Sequence, residues 1–415
     1  MRLIVSIARN FSTYKPSGVP KSFFENTPSR FKYPAKEEET KVLKIAIIGA
    51  PNVGKSLLTN QLVQAEVAAV SKRMDTTKRN LTAFFTEKNV QLMVVDSPGL
   101  VGIQHASKVA SDENSYILTD PERALSKAEY ILVVQDCTHT GDYIHHRILH
   151  LLNRYNHIPA SLVLNKVDLI NQRPQLLPLV KILTNNQVDK KKITSKRVNF
   201  GKLGKIDEKK VVDESRDGLP LYVNNNCEYD NMDEEWKDNL KKVVAKPLHK
   251  CSWSETKHLF SQIRGWSHFK SVFFVSSLTS EGIDSLRTHL TDQALVGEFV
   301  STSSTVTTKN PKDICLDQIK AECLNRLPSE VGYGINLKIM DWSFDNDNLN
   351  IIVEIHCSKK RWPKLVIGKD GQNIVEMERS VNNIIQNLMN QPLNIQLLVR
   401  YNGQTVTLHN LDQIN

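Results

Sequence analysis

A glycine-rich segment near the start of the chain, ending in a lysine and a serine, has the composition of a phosphate-binding loop. Residues 49–56, Gly-Ala-Pro-Asn-Val-Gly-Lys-Ser, match the spacing G-x-x-x-x-G-K-S/T, which favours phosphate binding over a simple strand-to-helix turn. The glycines let backbone N–H groups point inward around a phosphate, at the positive end of the next helix. We expect Lys55 to reach the β- and γ-phosphates of a nucleotide and Ser56 to bind the Mg²⁺ between them. Further loop residues are expected to contact the nucleotide: Gly49, Asn52, Val53, Gly54 and Leu57.

A carboxylate at the end of a later apolar run can complete the metal site. The run Gln91 to Val95 is followed by Asp-Ser-Pro-Gly, residues 96–99. Asp96 can hold Mg²⁺ through water, and the Gly99 N–H can meet the γ-phosphate. This pair therefore makes the site sensitive to the presence of the third phosphate.

A second carboxylate points to guanine as the base. Residues 165–168 are Asn-Lys-Val-Asp, and a carboxylate at Asp168 can accept hydrogen bonds from guanine N1–H and the exocyclic amine, a donor pair that adenine lacks. The stem of Lys166 can cover the flat face of the base, and Asn165 can tie this loop to the phosphate loop. Backbone N–H groups that can reach the base oxygen follow the fifth apolar run, at Ser276, Ser277 and Leu278.

The elements that must position these residues are strands of a parallel sheet. Short apolar runs alternate with helix-length stretches, which indicates an α/β fold of the P-loop NTPase type. The predicted strands are Lys44 to Ile48, Gln91 to Val95, Tyr130 to Val134, Ser161 to Leu164 and Val272 to Val275. Each motif follows one of these strands, so the motifs are expected at one edge of the sheet.

The chain divides into a leading segment, a nucleotide-binding core, a linker and a tail domain. We place these at residues 1–40, 41–300, 301–311 and 312–415. Residues 171–264 interrupt the strand pattern with 19 Lys and Arg against 13 Asp and Glu, and are predicted to be an inserted, partly disordered surface segment. The linker is polar, with Ser and Thr in most of its first positions, and is predicted to have no core of its own.

The tail domain has the pattern of an RNA-binding module. A helix from Asp313 to Arg326, two strands, a G-x-x-G turn at residues 368–371, a long helix and a last strand give the order α-β-β-α-α-β. This order resembles an α+β type II KH domain, whose loop clamps about four single-stranded nucleotides. The residues expected to contact RNA are Lys364, Ile367, Gly368, Lys369, Asp370 and Gly371. Because the tail holds 11 basic and 12 acidic residues, RNA binding must depend on the basic cluster near this turn.

The core resembles the translation-factor class of GTPases, and the Era branch most closely. The resemblance rests on residues 49–56, 70–79, 96–100 and 165–168. It implies that the second threonine of the first switch, Thr77, closes on Mg²⁺ when GTP is bound, so that Lys55, Thr77 and Gly99 serve catalysis and Ser56, Thr77 and Asp96 hold the metal. Two departures are a serine at residue 97, where the family usually has threonine, and a second serine at residue 277, where it has alanine.

Hydrolysis is expected to be slow. Leu100 stands where Ras-like enzymes carry a glutamine that orients water. The chemistry is then left to Mg²⁺, Lys55 and backbone N–H groups, with a partner as a further source of groups. Some relatives use an asparagine at the position of Asn52 with a bound K⁺, which makes K⁺ a candidate ion here.

The resemblance also implies a place of action. The Era architecture implies GTP and GDP as ligands, binding to single-stranded RNA near the 3′ end of the small-subunit ribosomal RNA, and assistance in small-subunit assembly. No DNA partner is expected. From Met1 to Phe24 there are four basic residues and no acid, the composition of a mitochondrial targeting segment. The expected location is the mitochondrial matrix, with peripheral contact with the inner membrane as an option.

Composition excludes some classes and leaves two rivals. Apolar residues make up 40% and charged residues 24%, and no run approaches the ~18 apolar residues of a membrane span. The net charge of +9 favours an anionic partner. One rival is a membrane-associated signalling GTPase that uses the basic insertion and has no RNA role. The other is a tRNA-modification-type GTPase, which would need a reactive cysteine near the C-terminus where the KH pattern lies.

Overall fold

A computed structural model describes residues 39–71, 79–100, 116–138, 142–171, 173–193, 229, 232–345, 348–389 and 391–407. The strands are β1 (Lys41–Gly49), β2 (Leu81–Glu87), β3 (Val90–Asp96), β4 (Tyr130–Asp136), β5 (Ala160–Asn165), β6 (Gln187–Val188), β7 (Lys191–Lys192), β8 (Phe269–Phe274), β9 (Leu295–Val296), β10 (Asn336–Asp345), β11 (Asn348–Cys357), β12 (Leu393–Tyr401) and β13 (Gln404–Val406). The helices are α1 (Lys55–Val63), α2 (Tyr116–Leu125), α3 (His146–Arg154), α4 (Leu176–Leu183), α5 (Glu234–Ala245), α6 (Trp253–Leu259), α7 (Ile283–Asp292), α8 (Pro311–Arg326), α9 (Ser329–Gly334), α10 (Trp362–Ile367) and α11 (Gln372–Met389).

The nucleotide-binding core is built on a mostly parallel sheet. Its strand order is β2-β3-β1-β4-β5-β8, and β1 runs parallel to both β3 and β4. The central strand β1 is almost continuously apolar and buried from Ile45 to Gly49, as expected for a strand covered on both faces. All five predicted strands are present. The sequence did not predict β2, an antiparallel partner of β3, or the short β9 on β1.

The tail domain has the predicted order of elements. Strand order is β10-β11-β12-β13, and β11 is parallel to β12 over nine residue pairs, the mixed arrangement of a type II KH domain. Helices α8 and α11 pack together on one face, where buried Cys323 lies 3.9 Å from the Met377 sulfur. Alternate residues of β11, from Leu349 to Ile355, are buried beneath these helices. The short helix α9 and strand β13 were not predicted.

The linker is an ordered connection along β2. The Phe84 N–H donates to Val306 O at 2.7 Å, and the Thr307 hydroxyl donates to Thr82 O at 2.8 Å. Val306 is only 9% exposed. The polar composition had suggested a coreless segment, but one apolar side chain and backbone bonding to the sheet edge are enough to hold it.

A second compact unit comprises residues 139–156 and 172–272. In this unit α3 contacts α5 and α6 through polar groups. The His146 Nδ1 atom lies 2.9 Å from the Thr256 hydroxyl, and the Arg154 guanidinium donates to the last carbonyl oxygens of α5 at 2.7 and 2.6 Å. The predicted insertion therefore contains the folded helices α4, α5 and α6, while its residues 194–228 lie outside the described residues.

We expect this second unit to lose stability on acidification. Burial, reinforced by nearby Arg147, lowers the pKa of His145 to about 4, and burial with the neighbouring charges lowers the pKa of His146 to about 3. Because both folded pKa values lie below the ordinary histidine value, the unfolded chain takes up protons first, and stability falls as pH drops from about 6.5 toward 4. Urea midpoints followed by tryptophan fluorescence at pH 7.5 and 5.0 measure this loss. The double variant His145→Gln with His146→Gln should show a smaller drop, and an equal drop would contradict the assignment.

Described cysteines are buried thiols. None of Cys137, Cys251, Cys315, Cys323 and Cys357 forms a disulfide, and Cys227 lies outside the described residues. Burial raises the pKa of the Cys315, Cys323 and Cys357 thiols to about 12, so these thiols are uncharged at neutral pH. Among the helices described, none has both the length and the apolar content to cross a bilayer.

Candidate nucleotide and RNA sites

The phosphate loop joins β1 to α1. Gly54 precedes the helix in the left-handed conformation with φ 94°, a backbone that favours glycine. Lys55 is 6% exposed, and its ammonium donates to Gly49 O at 3.3 Å and Ala50 O at 2.8 Å. The lysine charge is therefore held within the loop, where a phosphate would be bound.

Both loop glycines are also required by packing. A Cβ atom on Gly54 would lie 2.3 Å from Asn165 Nδ2, and one on Gly49 would lie 2.5 Å from Val134 O. The backbone of the phosphate loop therefore lies too close to β4 at Gly49, and to the Asn165 side chain at Gly54, for either position to carry a side chain.

The two residues predicted to bind the metal lie directly beside this loop. The Ser56 hydroxyl donates to Asp96 Oδ2 at 2.6 Å, and Asp96 is fully buried. Burial raises the pKa of Asp96, partly opposed by the Lys55 charge and the Ser56 hydrogen bond. Its Oδ1 atom is buried and accepts no hydrogen bond from the described residues. A hydroxyl and a carboxylate with an unused oxygen are ligands that suit Mg²⁺.

The residues after Asp96 lie against the phosphate loop. Ser97 donates its hydroxyl to Ile47 O at 2.7 Å, a bond that the threonine usual in the family can also form. The Leu100 N–H reaches Gly49 O at 3.3 Å, and a Cβ on Gly99 would lie 2.9 Å from Pro51 Cα. Leu100 is buried, and its side chain offers no polar group to a water molecule.

Asn165 connects the three loops of the site. Its side-chain amide donates to Val53 O at 2.8 Å, and its Oδ1 accepts from the Ser277 N–H and hydroxyl at 3.0 Å each. Asn165 therefore ties the base loop to the phosphate loop, as its position suggested. Beside it, Asp168 has a buried Oδ1 that accepts no hydrogen bond within the described part of the chain. This oxygen is therefore available to the N–H donors of a guanine base.

The structure thus brings most of the predicted nucleotide site together. The loops after β1, β3 and β5 meet at the carboxyl edge of the sheet, and Ser276 and Leu278 lie on the adjoining loop. Ser276 accepts from the Thr279 N–H at 3.1 Å, and Leu278 is 73% exposed beside the base loop. Thr77 lies outside the described residues, so its catalytic and metal-binding roles remain predictions.

The G-x-x-G turn of the tail domain has positive φ values at three of its four residues. Gly368, Asp370 and Gly371 have φ values of 76°, 52° and 78°. The Asn373 side chain donates to Leu365 O at 3.1 Å and holds the turn. Around it, five basic side chains are exposed: Lys359, which is paired with Glu330, and Lys360, Arg361, Lys364 and Lys369.

In the tail domain the structure differs from expectation at Ile367. Ile367 is only 3% exposed and belongs to the domain core, so it supports the turn from beneath and offers no surface to a base. Trp362 is buried against Gly334, and Trp342 lies under the Lys312 ammonium. The exposed apolar side chains beside the turn are Leu365 and Val375, at 41% and 59%; the sequence signal was their apolar type next to the glycines.

A P-loop G domain of the translation-factor class followed by a type II KH domain defines a GTPase joined to an RNA-binding module. Comparisons with known proteins agree with this class. Residues 44–166 match the family model described as a 50S ribosome-binding GTPase. The chain is 42% identical over 404 residues to the mitochondrial GTPase Era of Caenorhabditis elegans, covering 96% of this chain and 97% of that one.

Two further relatives extend the match. The mitochondrial GTPase Era of Danio rerio is 31% identical over 89% of this chain and 78% of its own length. A crystal structure of Era in complex with MgGDPNP and nucleotides 1506–1542 of 16S ribosomal RNA superposes with a TM-score of 0.57, at 18% identity over 87% of this chain and 93% of that one. The chain belongs to the Era family of GTPases.

Proposed function

We propose that the chain is a guanine-nucleotide switch that controls RNA binding by its KH domain and assists assembly of the mitochondrial small ribosomal subunit. Its RNA target would be a single-stranded segment near the 3′ end of the small-subunit ribosomal RNA. The observation that carries the proposal is the linker, which is hydrogen-bonded to β2, the strand beside β3 and its terminal Asp96. The related Era structure described with 16S ribosomal RNA supports the choice of target.

The linker offers a physical connection between the two sites. Lys309 of the linker forms an ion pair with Asp317 of α8, and its charge also acts on Asp96 in the metal site. Gln91 of β3 exchanges two hydrogen bonds with Ser301, at 2.9 and 3.2 Å. A change in the charge at Asp96 would therefore change the electrostatic energy of Lys309, which is paired with Asp317 of the first KH helix.

In the nucleotide site, each residue has a proposed role. Lys55 and the loop N–H groups bind the phosphates, while Ser56, Asp96 and Thr77 hold Mg²⁺, which when bound neutralises charge on the β- and γ-phosphates. The Gly99 N–H donates to the γ-phosphate, and the Asp168 carboxylate accepts hydrogen bonds from the guanine base. Because the Leu100 side chain supplies no polar group, intrinsic hydrolysis of GTP is slow. Hydrolysis returns the switch to its GDP-bound state, so the time between RNA binding and RNA release is set by this slow rate.

Potassium is the proposed additional ion. Asn52 is exposed at the tip of the phosphate loop with φ 61°, where its side-chain oxygen can meet a monovalent cation beside the phosphates. GTP hydrolysis is expected to be faster in K⁺ than in Na⁺ buffer at equal ionic strength, and Asn52→Ala should remove the difference. Phosphate release assays measure both rates, and equal rates for the unmodified protein would refute K⁺ dependence.

The proposed location is the mitochondrial matrix. The basic, acid-free leading residues support import, and the mitochondrial relatives support the same compartment. Peripheral contact with the inner membrane is a further proposal that rests on the net charge of +9.

RNA crosslinking tests the proposed function. With the GTP analogue or GDP bound, the purified chain is crosslinked to mitochondrial RNA and the trapped fragments are sequenced. We expect one single-stranded segment of small-subunit ribosomal RNA, recovered to a different extent in the two nucleotide states. Changing Gly368 and Gly371 to Asp should lower recovery at least tenfold, since two carboxylates then face the RNA phosphates.

Gly403→Asp is the matched control for the RNA experiment. Gly403 lies in the same domain at φ 79°, with nothing within 4 Å of where a Cβ would stand, so this variant places one aspartate, half the added charge, on a left-handed backbone away from the G-x-x-G turn. It should retain crosslinking. Failure to enrich any RNA in either nucleotide state would overturn the RNA role, and pelleting with anionic vesicles would then favour the membrane-associated rival.

A further inference from the structure

Asp136, at the end of β4, belongs to none of the nucleotide-binding motifs yet lies beside the base loop. It is 4% exposed. Its Oδ2 accepts the Lys166 ammonium at 2.6 Å, and its Oδ1 accepts the Thr138 N–H at 2.8 Å and the Thr138 hydroxyl at 2.6 Å. Both carboxylate oxygens are therefore occupied, and one is committed to Lys166.

The charge state of Asp136 strengthens this contact. Burial alone would raise the pKa of Asp136, but the hydrogen bonds from Lys166 and Thr138 outweigh burial and lower it. The carboxylate is thus ionised at neutral pH. A hydrogen bond between an ionised carboxylate and an ammonium is about twice as strong as a neutral one.

The backbone holds the two partners in fixed relation. Asp136 is paired with Asn165 across the parallel strands β4 and β5, and the Cys137 N–H donates to Asn165 O at 3.1 Å. Lys166 follows at φ 67°, a left-handed conformation that turns the chain into the short helix Val167–Leu169. A lysine in that conformation is strained, which is tolerated where surrounding contacts hold it.

We propose that Asp136 is a positioning residue that holds the Lys166 side chain extended across the base-binding site. A free lysine side chain samples many rotamers, and ordering it on nucleotide binding opposes affinity. With its ammonium anchored on Asp136, the aliphatic stem is already in place to cover the flat face of guanine. This inference rests on the proposed role of Asp168 and Lys166 in binding the base.

The test measures GDP dissociation from the full-length protein with radiolabelled GDP and an unlabelled chase. Asp136→Asn keeps the size and the contact with Thr138 but removes the charge. We expect GDP to dissociate about tenfold faster, with KM for GTP raised and kcat changed less than twofold. Lys166→Met should have at least the same effect, and the double variant should be no worse than Lys166→Met, because Asp136 acts through Lys166.

Two controls separate the outcomes. Asp142→Asn breaks a different acid–base pair, 2.6 Å from Arg264, and should leave GDP dissociation unchanged. Asp168→Asn should weaken GDP and favour the xanthine nucleotide; if it does neither, the proposed base site is wrong. If Asp168→Asn behaves as expected but Asp136→Asn dissociates GDP at the unmodified rate, or multiplies the effect of Lys166→Met, the positioning role is wrong and the base site stands.

Discussion

Asp96→Asn should lower the Mg²⁺-dependent kcat for GTP by about a hundredfold or more and at the same time stabilise the nucleotide-free protein. The loss of activity follows from the proposed role of Asp96 as a negatively charged ligand of the metal. The gain in stability follows from burial, because Asp96 is fully buried beside Ser56 and one of its oxygens accepts no hydrogen bond from the described residues.

The sign of the stability effect comes from the raised pKa of Asp96. The unfolded chain ionises this carboxyl first, so the folded state loses stability as pH rises through the ordinary aspartate value, and the loss persists at neutral pH. An amide of the same shape avoids this loss and can still accept the Ser56 hydroxyl. Opposed effects on activity and stability are typical of residues kept for function.

Thermal unfolding in EDTA without nucleotide, together with phosphate release, measures both effects. Asp120→Asn is the control, since Asp120 is also buried but is paired with Arg123 at 3.6 Å and accepts the Asn80 N–H at 3.1 Å. Neutralising Asp120 should lower the melting temperature. A lower melting temperature for Asp96→Asn as well would contradict the destabilisation assigned to burial of the Asp96 carboxylate.

The nucleotide motifs were predictable from the sequence because their chemistry is contiguous. The glycines, lysine and serine of the phosphate-loop motif all lie within residues 49–56, and each motif directly follows an apolar strand. The KH domain was predictable for a similar reason, since its G-x-x-G turn separates two helices.

Partners distant in the sequence could not be predicted. The role of Asp136 is recognisable only from its contact with Lys166, thirty residues away. Val306 is a single apolar residue in a polar linker, and its partner, Phe84 of β2, is distant in the sequence. The side chain of Ile367 is buried because of the way α10 packs on the domain. The sequence does not show this packing, so Ile367 was wrongly expected at the RNA surface.

The folded helices of the insertion left signals that the charge pattern obscured. Asp233 caps α5 by accepting the Trp236 N–H, followed by Glu234 and Glu235 in the first turn. Ser252 and Glu255 form a capping box at the start of α6.

Asn165→Ala should disconnect the three loops of the nucleotide site. Asn165 is 1% exposed and makes three side-chain hydrogen bonds, so its removal leaves Val53 O and the Ser277 N–H without partners in the interior. We expect a loss of about 2–4 kcal/mol in the free energy of unfolding and GDP affinity reduced at least tenfold, since phosphate and base loops must be ordered together.

Asn60→Ala separates loss of stability from loss of loop geometry. Asn60 is another buried asparagine, and it exchanges two hydrogen bonds of 2.9 Å with Ala68. Urea unfolding should show a comparable destabilisation for this variant, while calorimetry should show unchanged GDP affinity. If both variants weaken GDP equally, general destabilisation explains the effect; if only Asn165→Ala does, affinity depends on the bond between the base loop and the phosphate loop.

Asn165→Asp is a narrower test of the same bond, because it keeps the acceptor for Ser277 but places a carboxylate against Val53 O. It should therefore lose affinity for GDP through that single contact.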